Sequence, residues 1–226
     1  MKTSTHSRSV QMLDSVPNKL NSGLLKMRSY GQDKLAYLRR FSVTGSVCPS
    51  TRVFGERAAV EVSSAAHLFD RIVVAGIGNG VVAGRILDRC PDAIFVECDE
   101  GFAARFRLAH PRAAVVTDRL ERLYEDLPEL RGCKVLLASF VPTAGRFYSD
   151  EAARLFVEIC SRGGLIMQMR YVPHQMSTRF FDGMKARGIS STRLFTVVRN
   201  LPPVSMYGLL ANTALISWRP GGSISV

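Results

Sequence analysis

What this chain lacks narrows its function before any motif does. Its 226 residues hold no apolar run near the roughly 20 needed to cross a bilayer. The opening stretch is polar and interrupted, with no signal-peptide core. The expectation is a protein made and kept in the cytoplasm. Five cysteines, Cys48, Cys90, Cys98, Cys133 and Cys160, are scattered and odd in number. No CxxC or Cys/His ligand spacing occurs, so neither a zinc site nor a disulfide framework is expected. They read as small buried residues in a reducing compartment. There is one tryptophan, Trp218. Acidic residues are also scarce: 19 Asp and Glu face 30 Lys and Arg, a net charge of +11. Residues 1–41 carry Lys2, Arg8, Lys19, Lys26, Arg28, Lys34, Arg39 and Arg40 against Asp14 and Asp33. Eight minus two puts +6 of the +11 in this segment. Such a concentration suits a polyanion, either an anionic membrane surface or nucleic acid, or else a solvated tail.

What is present is concentrated in Arg71–Asp99. Arg71-Ile72-Val73-Val74-Ala75 reads as a buried parallel strand. Gly76-Ile77-Gly78-Asn79-Gly80 then places glycine at alternate positions, a turn that lets a ligand approach the backbone. Val81 to Arg89 has helical character, and Ile94-Phe95-Val96-Glu97 is a second strand ending in an acid. Glu97 stands about 20 residues past the turn, where a carboxylate can hold ribose hydroxyls. A nucleotide-like cofactor is therefore expected at the carboxyl ends of two adjacent parallel strands. A dinucleotide fingerprint needs G-x-G-x-x-G, but the residue three after Gly78 is Val81.

The remaining chain continues the alternation. Strands are expected at 93–98, 113–116, 134–140, 165–171, 192–198 and 214–218. Helices are expected at 50–69, 81–89, 101–109, 119–125, 149–160 and 174–187. Residues 1–22 read as disordered, and 24–41 as one or two approximately amphipathic basic helices. The pattern predicts an α/β protein with a doubly wound, mostly parallel Rossmann-like sheet and helices on both faces. The domain division is a basic N-terminal segment, 1–41, and one domain, 42–226.

The G-x-G-x-G spacing resembles motif I of class I S-adenosylmethionine (SAM)-dependent methyltransferases. Four further segments resemble bacterial phospholipid N-methyltransferases. These are Thr44-Gly45-Ser46-Val47-Cys48-Pro49-Ser50-Thr51, Ser139-Phe140-Val141-Pro142, Gln168-Met169-Arg170-Tyr171-Val172-Pro173 and Arg199-Asn200-Leu201-Pro202-Pro203. Together they extend the resemblance over residues 40–207. The chain departs from that pattern at Val74, where the family has an acid, at Phe140, at the charged Arg170, and at Thr117-Asp118 in place of Gly-Asp.

The resemblance implies a cofactor and an acceptor site. SAM would be held by Gly76, Gly78 and Gly80, by Glu97 on the ribose, by Asp118 on the adenine amino group, and by Ser139 beside the transferable methyl. Asp118 also suits a helix cap, and Tyr171 also suits a core aromatic. Tyr171, Ser139 and Tyr148 are the candidate catalytic residues. Tyr171, Tyr148 and Phe140 offer aromatic faces to a cationic product. His174 and Tyr171 are candidate carriers of the ammonium proton, although a surface helix start suits His174 better. The implied activity is N-methylation of phosphatidylethanolamine or a related aminolipid by a cytoplasmic enzyme peripheral to the inner face of the membrane. Three alternatives remain: an RNA or DNA methyltransferase, a methyltransferase of a soluble amine or peptide, and a non-catalytic SAM-binding protein. The sequence contains no NPPY-type segment to hold an extruded base.

Overall fold

The β-branched run Arg71–Ala75 forms strand β1, and from there strand and helix alternate. The computed structural model describes residues 50–141, 149–172, 178–200 and 202–212. The helices are α1 (Arg52–Ala65), α2 (Val81–Arg89), α3 (Glu100–Ala109), α4 (Leu123–Asp126), α5 (Asp150–Ser161) and α6 (Thr178–Ala186). The remaining strands are β2 (Ile94–Val96), β3 (Ala114–Val116), β4 (Val135–Ser139), β5 (Leu165–Tyr171), β6 (Ile189–Val197) and β7 (Val204–Ala211).

The helix starts follow from local chemistry. Thr51 caps α1, accepting from the Phe54 N–H at 3.4 Å. Asp99 caps α3 through the Phe102 N–H at 3.0 Å, and Ser149 caps α5 through the Ala152 N–H at 3.1 Å. Asp150 and Glu151 in the first turn of α5 add a favourable interaction with the helix dipole.

The sheet order is β3-β2-β1-β4-β5-β7-β6. The first five strands are parallel, and β7 runs antiparallel to both β5 and β6. The order reverses between β1 and β4, which opens a crevice at their carboxyl ends. Period-two alternation divides the core into two clusters. Val74, Leu136 and Ala138 pack with Phe54 of α1, Ile86 of α2 and Phe106 of α3. Val73, Ala75 and Leu137 pack with Leu123 of α4, Phe156 of α5 and Phe180 of α6. Helices therefore cover both faces. Phe54 is fully buried and meets the rings of Phe140 and Phe195 at 6.0 and 5.8 Å. Burial of a side chain of that size is worth about 1.5–3 kcal/mol and fixes α1 beside the exit of β4.

Most element ends differ from the expected bounds by one to four residues, and two differences are larger in consequence. β6 begins at Ile189 rather than 192, because Gly188 at φ +77° turns the chain directly out of α6. Strand β7 was not anticipated. Pro202 and Pro203 immediately precede it, Gly208 lies inside it, and the pairing that makes this segment a strand is long-range. The strand expected at 214–218, the start of the helix expected at 174, and the whole of residues 1–41 lie outside the described residues.

Candidate functional site at the carboxyl ends of the strands

The glycine turn leaves β1 at the crevice. Gly76, Gly78 and Gly80 have φ of 84°, 56° and 82°, values in the left-handed region that favours glycine. Space is equally restrictive at the first of them. A Cβ on Gly76 would lie 3.1 Å from the Phe140 carbonyl carbon and 3.2 Å from the Val141 nitrogen. The turn is thus pressed against the chain leaving β4, and Phe140 N–H donates to the Ala75 carbonyl at 2.8 Å. From the β2 end, the buried Glu97 carboxylate reaches back to this turn. Its Oε2 accepts from the Gly78 N–H at 2.9 Å, and its Oε1 accepts from the Asp99 N–H at 3.0 Å. An ionised carboxylate has about four acceptor positions, so capacity remains for hydroxyl donors.

Cys98 lies beside this carboxylate, its Sγ 3.7 Å from Oε1. Partial desolvation first, and the Glu97 charge second, push its thiol up to about 11. Val74, at the position where the family carries an acid, is fully buried in the α1–α3 cluster between Phe95 of β2 and Ala138 of β4.

Asp118 follows β3 at the same edge. Its Oδ1 accepts from the Arg119 N–H at 2.7 Å, and its Oδ2 pairs with Arg122 at 3.0 Å. The carboxylate thus organises the turn after β3 rather than capping the next helix through its second or third N–H. Ser139 ends β4, opposite Ala75 of β1 and Gln168 of β5, and is fully buried. Its Oγ has no hydrogen-bond partner among the described residues, and neither does Oε1 of Gln168.

Tyr171 does not join Ser139 on one surface. It packs against the cluster of Phe54, Phe140 and Met169, on the α1 face. Ser139 shares register with Ala75, whose side chain belongs to the opposite cluster. The same face as Ser139 carries Arg170, whose guanidinium lies 4.4 Å from the Phe181 ring centre and 5.6 Å from that of Tyr207. Tyr148, His174 and Pro142 lie outside the described residues.

Two segments singled out in the sequence meet here. Asn200 Oδ1 accepts from the Thr51 N–H at 2.9 Å, and its Nδ2 donates to the Pro202 carbonyl at 2.8 Å. Val172 N–H donates to the Pro203 carbonyl at 2.8 Å, which ties the end of β5 to the same connection. The sequence reading assigned no role to Asn200 or Gln168. A glutamine inside the apolar run LIMQM was the available signal for the latter.

A shallow cleft of about 170 Å³ lies between the glycine turn and α3, lined among others by Asn79, Phe102, Arg105, Phe106 and His110. It is below the roughly 300 Å³ at which pockets begin to hold drug-sized ligands. Glu97, Asp118 and Ser139 do not line it. Among the described residues no group of three or more His, Cys, Asp or Glu is arranged to hold a metal ion. No helix among them is long and apolar enough to cross a membrane.

No family model matches the chain, and no curated protein matches it. Solved structures do. The chain is similar to TomG of Streptomyces achromogenes, an O-methyltransferase of tomaymycin synthesis solved in complex with SAM, at 15% identity. That match covers 80% of this chain and 88% of TomG, with a TM-score of 0.56. It is also similar to ChlM of Synechocystis, a magnesium protoporphyrin IX methyltransferase solved with bound SAM, at 11% identity. Here the match covers 79% of this chain and 97% of ChlM, with a TM-score of 0.52. At such identities the likeness speaks to architecture. With its 3-2-1-4-5-7-6 sheet and helices on both faces, the chain has the Rossmann-like methyltransferase fold.

Proposed function

We propose that this chain is a SAM-dependent N-methyltransferase whose acceptor is the amine headgroup of phosphatidylethanolamine or a related aminolipid. The observation that carries the cofactor assignment is Glu97. A buried carboxylate at the end of β2 is bonded to the middle of a glycine turn at the point where strand order reverses. At Gly76 a Cβ would crowd the backbone of Phe140 and Val141, so glycine lets the turn pack against the chain leaving β4. TomG and ChlM were both solved with SAM, which supports the same cofactor here.

In this reading Gly76, Gly78 and Gly80 line the cofactor, Glu97 accepts from its ribose hydroxyls, and Asp118 accepts from the adenine amino group. When bound, SAM supplies an electrophilic sulfonium methyl group. The chain's own task is to hold a neutral amine in line with that methyl, exclude water and tolerate a cationic product. Ser139 stands at the β4 end for the first of these. Tyr171 and Phe140 belong to the α1-face cluster, opposite the face of Ser139, which leaves Tyr148 as the aromatic candidate for the product. The resemblance of the TGSVCPST, SFVP, QMRYVP and RNLPP segments to phospholipid N-methyltransferases supports the acceptor. Residues 1–41, at +6, would dock the domain 42–226 on anionic lipid at roughly 1 kcal/mol per Lys or Arg near the surface.

Calorimetry with S-adenosylhomocysteine and with NAD tests the cofactor assignment. Binding of the former alone is expected. Binding of NAD, or of neither, overturns the assignment.

A further inference from the structure

The two orphaned atoms beneath this site belong to register partners on adjacent strands. We infer that Ser139 Oγ and Gln168 Oε1 form a socket for the N–H groups of the acceptor amine, and that the socket limits the enzyme to the early methylations. The inference rests on the amine-methyltransferase reading above.

Both residues are fully buried. They are register partners on adjacent parallel strands, so their side chains leave the same face about 4.8 Å apart. The amide orientation is dictated by its surroundings. Gln168 Nε2 donates to the Val141 carbonyl at 2.9 Å and to the Met169 carbonyl at 2.8 Å. Turned the other way, the amide oxygen would face two carbonyl oxygens, so the orphaned atom is an acceptor. A buried polar atom without a partner is rare, and one explanation is a ligand that completes it.

Two acceptors side by side call for a group that donates twice. A neutral primary amine does so and keeps its lone pair for attack. The lone pair forms the N–C bond while the S–C bonding pair passes to sulfur, and the positive charge moves to nitrogen. One proton then leaves for bulk water. After one transfer a single N–H remains, and after two none remains. A tertiary amine would leave both Oγ and Oε1 buried and unpaired. The Ser139 hydroxyl, turned as a donor, could only cap the lone pair that must attack. The third transfer should therefore be at least about tenfold slower than the first.

The test uses the full chain, vesicles of phosphatidylethanolamine or of its N-monomethyl or N,N-dimethyl form in anionic carrier lipid, and the variant Ser139→Ala. Mono- and dimethylated lipid as the end products, with the dimethyl lipid turned over at least about tenfold more slowly, supports the socket. Ser139→Ala should narrow that ratio. It should also melt at or above the wild-type temperature, because it removes a hydroxyl that no described residue pairs. Rapid accumulation of trimethylated lipid overturns the socket while leaving the aminolipid reading intact. Melting of Ser139→Ala below wild type also overturns it, by giving the hydroxyl a structural partner such as a fixed water. Methylation of none of the three lipids overturns the aminolipid reading, and the melt still decides whether Oγ is held structurally.

Discussion

Glu97 is buried, yet the two backbone N–H groups of Gly78 and Asp99 are aimed at its carboxylate. Its removal should act on ligand binding and on the turn together. Glu97→Ala should weaken S-adenosylhomocysteine binding by about 1.5–3 kcal/mol, the scale of charge-assisted hydrogen bonds. Calorimetry measures this, and unchanged affinity would take Glu97 out of the site. The neighbouring thiol provides a readout independent of any ligand. Cys98 is pushed up to about 11 by desolvation and then by the Glu97 charge, so it stays protonated at neutral pH although the residue is exposed. In Glu97→Ala the second cause is gone, the pKa should fall, and alkylation of Cys98 near pH 9 should speed up. A second carboxylate gives a stability prediction. Burial raises the Glu61 pKa above 4.5, and Arg57 offsets this only in part. A raised folded-state pKa favours the folded state at low pH, and that advantage is lost as pH rises through the folded value. Glu61→Gln should therefore raise the denaturant midpoint at pH 7 and lose that benefit below about pH 4. An equal effect at both pH values would contradict the desolvation argument.

At the level of elements, the link from Asn200 to Thr51 joins the β6–β7 connection to the start of α1 across 149 residues of sequence. Asn200 is buried and bonded at both ends of its amide. Asn200→Ala should cost about 1–3 kcal/mol, seen as a lower denaturant midpoint with an unchanged slope. The segments that built this corner stood out in the sequence, but their meeting did not. Local pattern located β1, α2 and β5 to the residue, because β-branched runs, a glycine stop and a helical stretch are local signals. Strand β7 escaped because Gly208 interrupts its apolar run and its pairing with β5 and β6 is long-range. The same limit applies to Ser139 and Tyr171. Both end adjacent strands, but the register sets Ser139 opposite Gln168, three residues before Tyr171. That odd offset puts the two side chains on opposite faces. Glu97 was legible because its spacing from the glycine turn is set by one βαβ unit, whereas the orphaned pair depends on register between strands 29 residues apart in sequence.

At the scale of the whole molecule, the charge is divided unevenly, +6 on residues 1–41 and +5 on the rest. Attraction to an anionic surface decays over a Debye length of about 8 Å at physiological salt. Vesicle binding by the full chain should therefore need acidic lipid and weaken with salt. The apolar Leu24, Leu25, Leu35, Tyr37, Leu38 and Phe41 should leave a salt-resistant remainder. Deletion of residues 1–41 should abolish co-sedimentation with vesicles. Equal sedimentation with and without the segment would move the membrane contact elsewhere. Proteins of this fold include a magnesium protoporphyrin IX methyltransferase and an O-methyltransferase of tomaymycin synthesis, so architecture alone leaves the acceptor open. The most direct test of the central claim is to incubate the full chain with methyl-labelled SAM and separated lipid, RNA and small-metabolite fractions, and to follow the label. Label should enter the lipid fraction, on the amine headgroup. Label in RNA or in a soluble metabolite, or in no fraction, would contradict it.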